Sequence, residues 1–145
     1  MIAIRLAEVP QGKGRPRRGK GGAMYTPDAT RAYEERLAWA ARLAMRGQQQ
    51  LTGPVVVTVL ACFAPPASWS LRKQRAALAG REWPTGRPDL DNIVKGALDA
   101  CNGIVWGDDA AVVELRARKI YSTAPSLLVR AWAVSEVDPA TEVPA

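Results

Sequence analysis

Nine consecutive residues, Val55–Phe63 (VVVTVLACF), carry no charge and are β-branched or apolar at nearly every position. A strand with one wet face alternates apolar and polar residues, so a run that is apolar on both sides is the pattern of a strand buried inside a sheet. Pro65 and Pro66 end it. The chain is therefore organised around one central strand, and its other segments supply that strand's neighbours and cover.

With 145 residues there is room for one domain with a core of its own. Ile2, Ile4 and Leu6 alternate with Ala3, Arg5 and Ala7, a half-buried strand ended by Pro10. Residues 112–121 and 127–134 read as two more strands, joined by a turn around Thr123, Ala124 and Pro125. A first helix is expected from Thr26 as cap and Pro27 at the first helical position to Met45 or Arg46, with Leu37, Ala40, Ala41 and Ala44 on its apolar side. Residues 68–79 predict a second helix, capped by Ser68 or Ser70 and turning Arg72, Lys73 and Arg75 outward. A third spans residues 92–101, with Ile93, Ala97 and Cys101 on one face. These elements predict a compact α/β (α+β) domain over residues 1–135, a mixed sheet of about four strands packed with three helices. Residues 11–22 hold five basic residues, five glycines and no acid, and predict a flexible basic loop. Residues 136–145 have the composition of a disordered tail.

The net charge of +6, from 20 Lys and Arg against 14 Asp and Glu, favours nucleic acid or an anionic membrane as partner. The chain has no His, which excludes imidazole general bases and Cys2His2 zinc sites. Cys62 and Cys101 lack CxxC spacing and read as buried small hydrophobes in a reducing compartment. The opening MIAIRLAEVP has no long apolar core, and no stretch approaches the roughly 18 apolar residues of a membrane span. A soluble cytoplasmic protein, of a bacterial or phage-infected cell, is expected.

Against this basic background four aspartates gather in one window: Asp89 and Asp91 in RPDLDNIVKG, then Asp108 and Asp109 in VWGDD. Residues i and i+2 of an extended step point to one side, and Pro88 disfavours a helical start, so Asp89 and Asp91 can converge. Asp91 or Asn92 would then cap the third helix, and Asp91, Lys95 and Asp99 would follow at i+4 spacing. Taken singly, a DD pair after glycine is an ordinary solvated turn, and a DxD step an ordinary cap. Taken together, the carboxylates suit a hard divalent cation that shares its shell with phosphate. Lys95 beside them could pair with a scissile phosphate, or orient or deprotonate an attacking water; the bland reading is an ion pair with Asp91 or Asp99.

The run RPDLDNIVKGALDACNGIVWGDDAAVVELRARK resembles the signature of the RusA family of Holliday junction resolvases, particularly its phage-encoded branch. KGRPRRGKGGAMYTPDATRAYEE and SWSLRKQRAALAG resemble that branch as well, so the likeness covers most of the chain. It implies a homodimeric α/β endodeoxyribonuclease that uses Mg2+, with Mn2+ as a substitute, to cut four-way DNA junctions by paired symmetrical nicks. It implies catalytic and metal-binding roles for Asp89, Asp91 and Asp109, a catalytic role for Lys95, and a supporting or metal-adjacent role for Asp108. Phosphate contacts are expected from Lys13, Arg15, Arg17 and Arg18, with Arg72, Lys73, Arg75 and Arg87 as further DNA-binding residues. The best-known members carry a compact arginine run directly before the DxD, whereas here only Arg87 stands there and the charge lies in Arg72, Lys73, Arg75 and Arg81. A two-fold junction cut at matched strands needs two equivalent sites, which a C2 dimer supplies. Two other readings stand beside this one: a nuclease of related fold that prefers flaps or forks, and a module that binds branched DNA without cutting it. The five tryptophans, Trp39, Trp69, Trp83, Trp106 and Trp132, are expected mostly in the core, with stacking on a splayed base as the alternative for Trp83 in its basic loop.

Overall fold

The structure is a computed structural model that describes residues 1–14, 17–22, 24, 25 and 28–135, the side chains of residues 17, 18, 24 and 25 excepted. In chain order the elements are β1 (Ile2–Leu6), β2 (Arg17–Arg18), β3 (Met24–Tyr25), α1 (Asp28–Ala44), β4 (Val55–Phe63), α2 (Leu71–Leu78), α3 (Leu90–Cys101), β5 (Val112–Tyr121) and β6 (Ser126–Ala133), with a 3-10 turn at Asp109–Ala111. The uncharged run is β4, and the four-stranded sheet has the order β1-β6-β4-β5. β6 runs antiparallel to both β1 and β4, while β5 runs parallel to β4.

One face of the sheet makes the core. Val55, Val57, Val59 and Ala61 of β4, Ile2 and Ile4 of β1, and Leu127, Val129 and Ala131 of β6 are all buried with Tyr33, Leu37 and Ala41 of α1 and Ile93, Ala97 and Cys101 of α3. Tyr33 extends the α1 stripe one turn earlier than the alanine pattern suggested. Glu8 grips the guanidinium of Arg36 through both carboxylate oxygens (2.7 and 2.8 Å), holding the chain after β1 against α1.

Parallel neighbours need a crossover, and residues 64–111 provide it through α2 and α3. α3 therefore begins where β4 and β5 end and finishes where they begin. Lys119, near the end of β5, bonds the chain entering α3, and Val112, at its start, pairs with Val55. This placement decides what the acidic residues can do.

Several local expectations are corrected. α3 starts at Leu90, so Asp89 rather than Asp91 or Asn92 occupies the cap position. α2 takes the later of its two expected caps, Ser70, whose Oγ accepts from the Lys73 amide, and so spans only Leu71–Leu78. Within the segment read as a loop, Arg17–Arg18 and Met24–Tyr25 pair as a short antiparallel ribbon, and residues 11–14 lie along α3. Of the tryptophans expected in the core, Trp106 and Trp132 are buried and Trp69 is half-buried, but Trp39 is 58% exposed because it points away from the α1 stripe. Trp83 is 55% exposed. Cys62 and Cys101 are free and buried. Thr26, Pro27 and the tail 136–145 lie outside the described residues. Among the described residues no helix is long and apolar enough to cross a membrane.

Candidate active site

Asp89 caps α3 by position only. Its backbone is extended (φ −67°, ψ 143°) and its carboxylate makes no cap hydrogen bond. A cap aspartate ordinarily turns its oxygen onto the free amides of the first turn; this one leaves them open and is exposed. Asp91 stands in the first helical turn, also exposed and without a hydrogen-bond or ion-pair partner among the described residues. Two carboxylates thus flank a helix N-terminus, where the backbone dipole favours negative charge.

The loop presenting them is held from below. Lys119 donates to the carbonyls of Gly86 (2.6 Å) and Pro88 (2.8 Å), on either side of the cis Arg87–Pro88 peptide. Its ammonium also sits 5.7 Å from the centre of the Phe63 ring. Sequence reasoning missed Lys119; the signal for it was parity, since it shares the inward phase of Ala117 in a strand otherwise basic on the outward phase.

On the other side, residues 11–14 close a cavity of about 670 Å³ lined by Pro10, Gln11, Gly12, Lys13, Arg87, Pro88, Asp89 and Asn92. The Lys13 amide donates to the Asn92 carbonyl (3.0 Å). A Cβ on Gly12 would stand 3.0 Å from that of Asn92 and 3.2 Å from that of Pro88, so any larger residue would push the chain a few tenths of an ångström off α3. Lys13, expected among the phosphate-facing cations, pairs with Asp99 (2.5 Å) and Glu34 (3.4 Å) and bridges α3 to α1. The Asp99 bond is the main cause of its raised pKa. Because Lys13 takes Asp99, Lys95 is left exposed and unpaired among the described residues.

At the C-terminal end of α3 the second acidic pair is built differently. Asp109 is half-buried and its Oδ1 accepts from the indole Nε1 of fully buried Trp106 (2.8 Å). Trp106 in turn is tied to the helix end, its carbonyl accepting from Gly103 N (2.9 Å). Asp108 is exposed and caps the 3-10 turn through a long bond to Ala110 N (3.4 Å). Burial, with a smaller push from Asp109, raises the Cys101 thiol to about 12 and keeps it protonated.

The four aspartates therefore form two pairs rather than one cluster. α3 has 12 residues, which at 1.5 Å per residue separates its ends by about 18 Å. Among the described residues no group of three or more Asp, Glu, Cys or His is placed to hold a metal ion.

Comparison with known proteins bears directly on this arrangement. Residues 8–131 match the family model described as endodeoxyribonuclease RusA. This chain belongs to the RusA family. The uncharacterized protein YqaN of Bacillus subtilis (strain 168) is similar to it, at 35% identity over 131 residues, covering 87% of this chain and 92% of that protein. RusA proteins are endonucleases that resolve Holliday junctions, and the matched stretch contains both aspartate pairs and Lys95. Of the basic residues expected to meet DNA, Arg87 is exposed and lines the cavity beside Asp89, and Arg72, Lys73 and Arg75 are exposed on α2. Lys73 lies 4.1 Å above the Trp69 ring, which itself meets Tyr121 edge-on. Arg15 and the side chains of Arg17 and Arg18 lie outside the described residues.

Proposed function

We propose that this RusA protein cuts four-way DNA junctions by metal-assisted phosphodiester hydrolysis, acting as a homodimer. The observation that carries the reading is the N-terminal end of α3, where Asp89, Asp91 and Lys95 are exposed and have no partner among the described residues, although Asp99 on the same helix is paired with Lys13. Leaving charged groups without internal partners suits residues whose partner is a ligand.

The donor set fits Mg2+, which takes oxygen ligands and keeps waters and phosphate in its shell. Asp89 and Asp91 would hold it from one protomer. Asp109 stands at the far end of its own α3, so the third carboxylate would be Asp109 of the partner subunit, with Asp108 of the partner subunit beside it. Bound there, the ion would lower the pKa of a coordinated water and polarise the scissile phosphate. Lys95, one turn along the helix, would meet the phosphate or move a proton at the attacking water. Arg87 would hold an adjacent phosphate, and Trp106 would fix Asp109 in place. Arg72, Lys73 and Arg75, with Arg15, Arg17 and Arg18, would supply further backbone contacts.

The test is incubation of the purified chain with labelled four-way junction, flap, fork and linear duplex, with and without Mg2+. Paired nicks at matched positions in the junction, dependent on Mg2+, are expected. Preferential cutting of flap or fork would reassign the substrate, and binding without cutting in Mg2+ or Mn2+ would make this a recognition module.

A further inference from the structure

The family match and the acidic pairs leave one surface of the molecule without a role: the sheet face turned away from α1 and α3. Strand register assembles it in rows. Ala3, Arg130, Thr58 and Arg116 stand side by side across β1, β6, β4 and β5, and Arg5, Leu128, Leu60 and Arg118 form the next row. All four arginines are exposed. Arg116 binds Glu114 through Nε (2.8 Å) and Nη2 (2.6 Å), while Arg5, Arg118 and Arg130 have no ion-pair partner among the described residues. Glu114 is the one acid in these and the flanking rows, which otherwise hold Trp132, Val56, Ser126, Cys62 and Ile120.

We propose that this face is a second DNA contact, on which Arg5, Arg116, Arg118 and Arg130 take backbone phosphates of a duplex arm; it rests on the endonuclease reading above. Charge selects the occupant. Stacking a second copy on the same face would oppose like charges at the centre of the contact, whereas a duplex supplies the complementary sign. Spacing agrees. With strands about 4.8 Å apart, Arg130 and Arg116 stand about 10 Å apart and Arg5 and Arg118 about 14 Å, with the rows about 7 Å apart along the strands. Those separations are on the scale of the roughly 6 and 12 Å widths of the duplex grooves, and the row spacing covers about two phosphates of one strand. Because no hydrogen-bonding side chain except Thr58 lies between the arginines, the contact reads backbone and no sequence.

The experiment follows binding by fluorescence anisotropy between about 50 and 200 mM salt, without metal, on a labelled four-way junction and on linear duplex. Both proteins carry Asp91→Asn, so that no DNA is cut. Adding Arg118→Gln with Arg130→Gln is expected to lower the salt slope by about 1.8, at about 0.9 per lost phosphate contact. Arg118→Lys with Arg130→Lys should keep the slope, as should Arg42→Gln with Arg46→Gln, which removes the same charge from the end of α1. An unchanged slope in the Gln pair would overturn the proposal. So would a change in sedimentation mass, which would make the face a contact between copies. The readout is binding alone, so a wild-type protein that fails to cut junctions would sink the endonuclease reading and leave this result standing.

Discussion

The two ends of α3 carry the same residue type to opposite effect. At the N-terminal end Asp89 forgoes its cap bond and Asp91 has no partner among the described residues, so both carboxylates keep their acceptor capacity there. At the C-terminal end Asp109 is oriented by a buried indole and Asp108 caps a turn. Free carboxylates can gather around an incoming cation, and a fixed one adds direction but cannot travel. The crossover puts the whole of α3 between the pairs, so Asp89, Asp91, Asp108 and Asp109, although within 21 residues of sequence, form no three-carboxylate group among the described residues. A dimer, as proposed above, would bring the two kinds of carboxylate to one site.

The largest expected effect tests that arrangement. Asp91→Asn and Asp109→Asn should each cut cleavage by on the order of 10³-fold with junction binding retained. Mixed and allowed to exchange subunits, the two inactive variants should recover activity, because a mixed dimer has one site with both aspartates intact and one with neither. Its product should be single nicks instead of paired cuts. Failure of the mixture to recover, with exchange verified by differently tagged protomers, would place all three carboxylates within one protomer and break the comparison.

Lys95 sharpens the open end. An exposed i,i+4 ion pair contributes only about 0.3 to 0.5 kcal/mol, and here Lys95 lacks even that, since Asp99 is taken by Lys13. Lys95→Ala should leave the melting temperature unchanged and slow single-turnover cleavage by roughly a hundredfold. Wild-type rates in this variant would remove Lys95 from the chemistry.

Trp106 sharpens the fixed end. Trp106→Phe keeps a ring in the core but removes the donor to Asp109. Loss of a hydrogen bond to a charged group costs about 1.5 to 3 kcal/mol, and losing the orienting partner of a metal ligand typically lowers activity by about 10- to 100-fold. Denaturant unfolding and Mg2+ titration of cleavage would check both; a variant destabilised but with unchanged Mg2+ dependence would make Trp106 a core residue alone.

These contrasts show what was legible in the sequence. β4 and β5 could be read to the residue, because an uncharged run and a long alternation are set by burial over many positions. The family could be read as well, and with it the residues proposed for its site, the four aspartates and Lys95. Their grouping could not. An i, i+2 spacing says that Asp89 and Asp91 are near each other, but the separation of both from Asp109 is set by the crossover, which puts the whole of α3 between them. The glycines of residues 11–14 misled for a related reason. They read as flexibility, whereas Gly12 passes Asn92 so closely that a Cβ there would stand 3.0 Å from its neighbour, and a Cβ on Gly14 would meet Thr30 Oγ1 at 2.6 Å. Close approach and mobility call for the same residue, and only the partner elements distinguish them.

The smallest expected effect concerns Lys13, which ties those glycines down between the two ends of α3. Its ammonium faces Asp99 on α3 and Glu34 on α1, with Arg31 and Glu35 of α1 lining the same recess. The Asp99 bond raises its pKa above the ordinary 10.5, offset in part by burial. A base whose folded pKa is raised stabilises the fold fully below its unfolded value, and the contribution fades as pH climbs through the folded one. The pair is about a third exposed, so solvent screening limits it to about 1 kcal/mol or less. Lys13→Met should therefore lower stability by that amount between pH 7 and 9, and the gap between variant and wild type should narrow as pH rises past about 10.5. Paired urea unfolding at pH 8 and pH 11 measures it. A gap that is constant across this range would mean that Lys13 does not stabilise the fold through its charge.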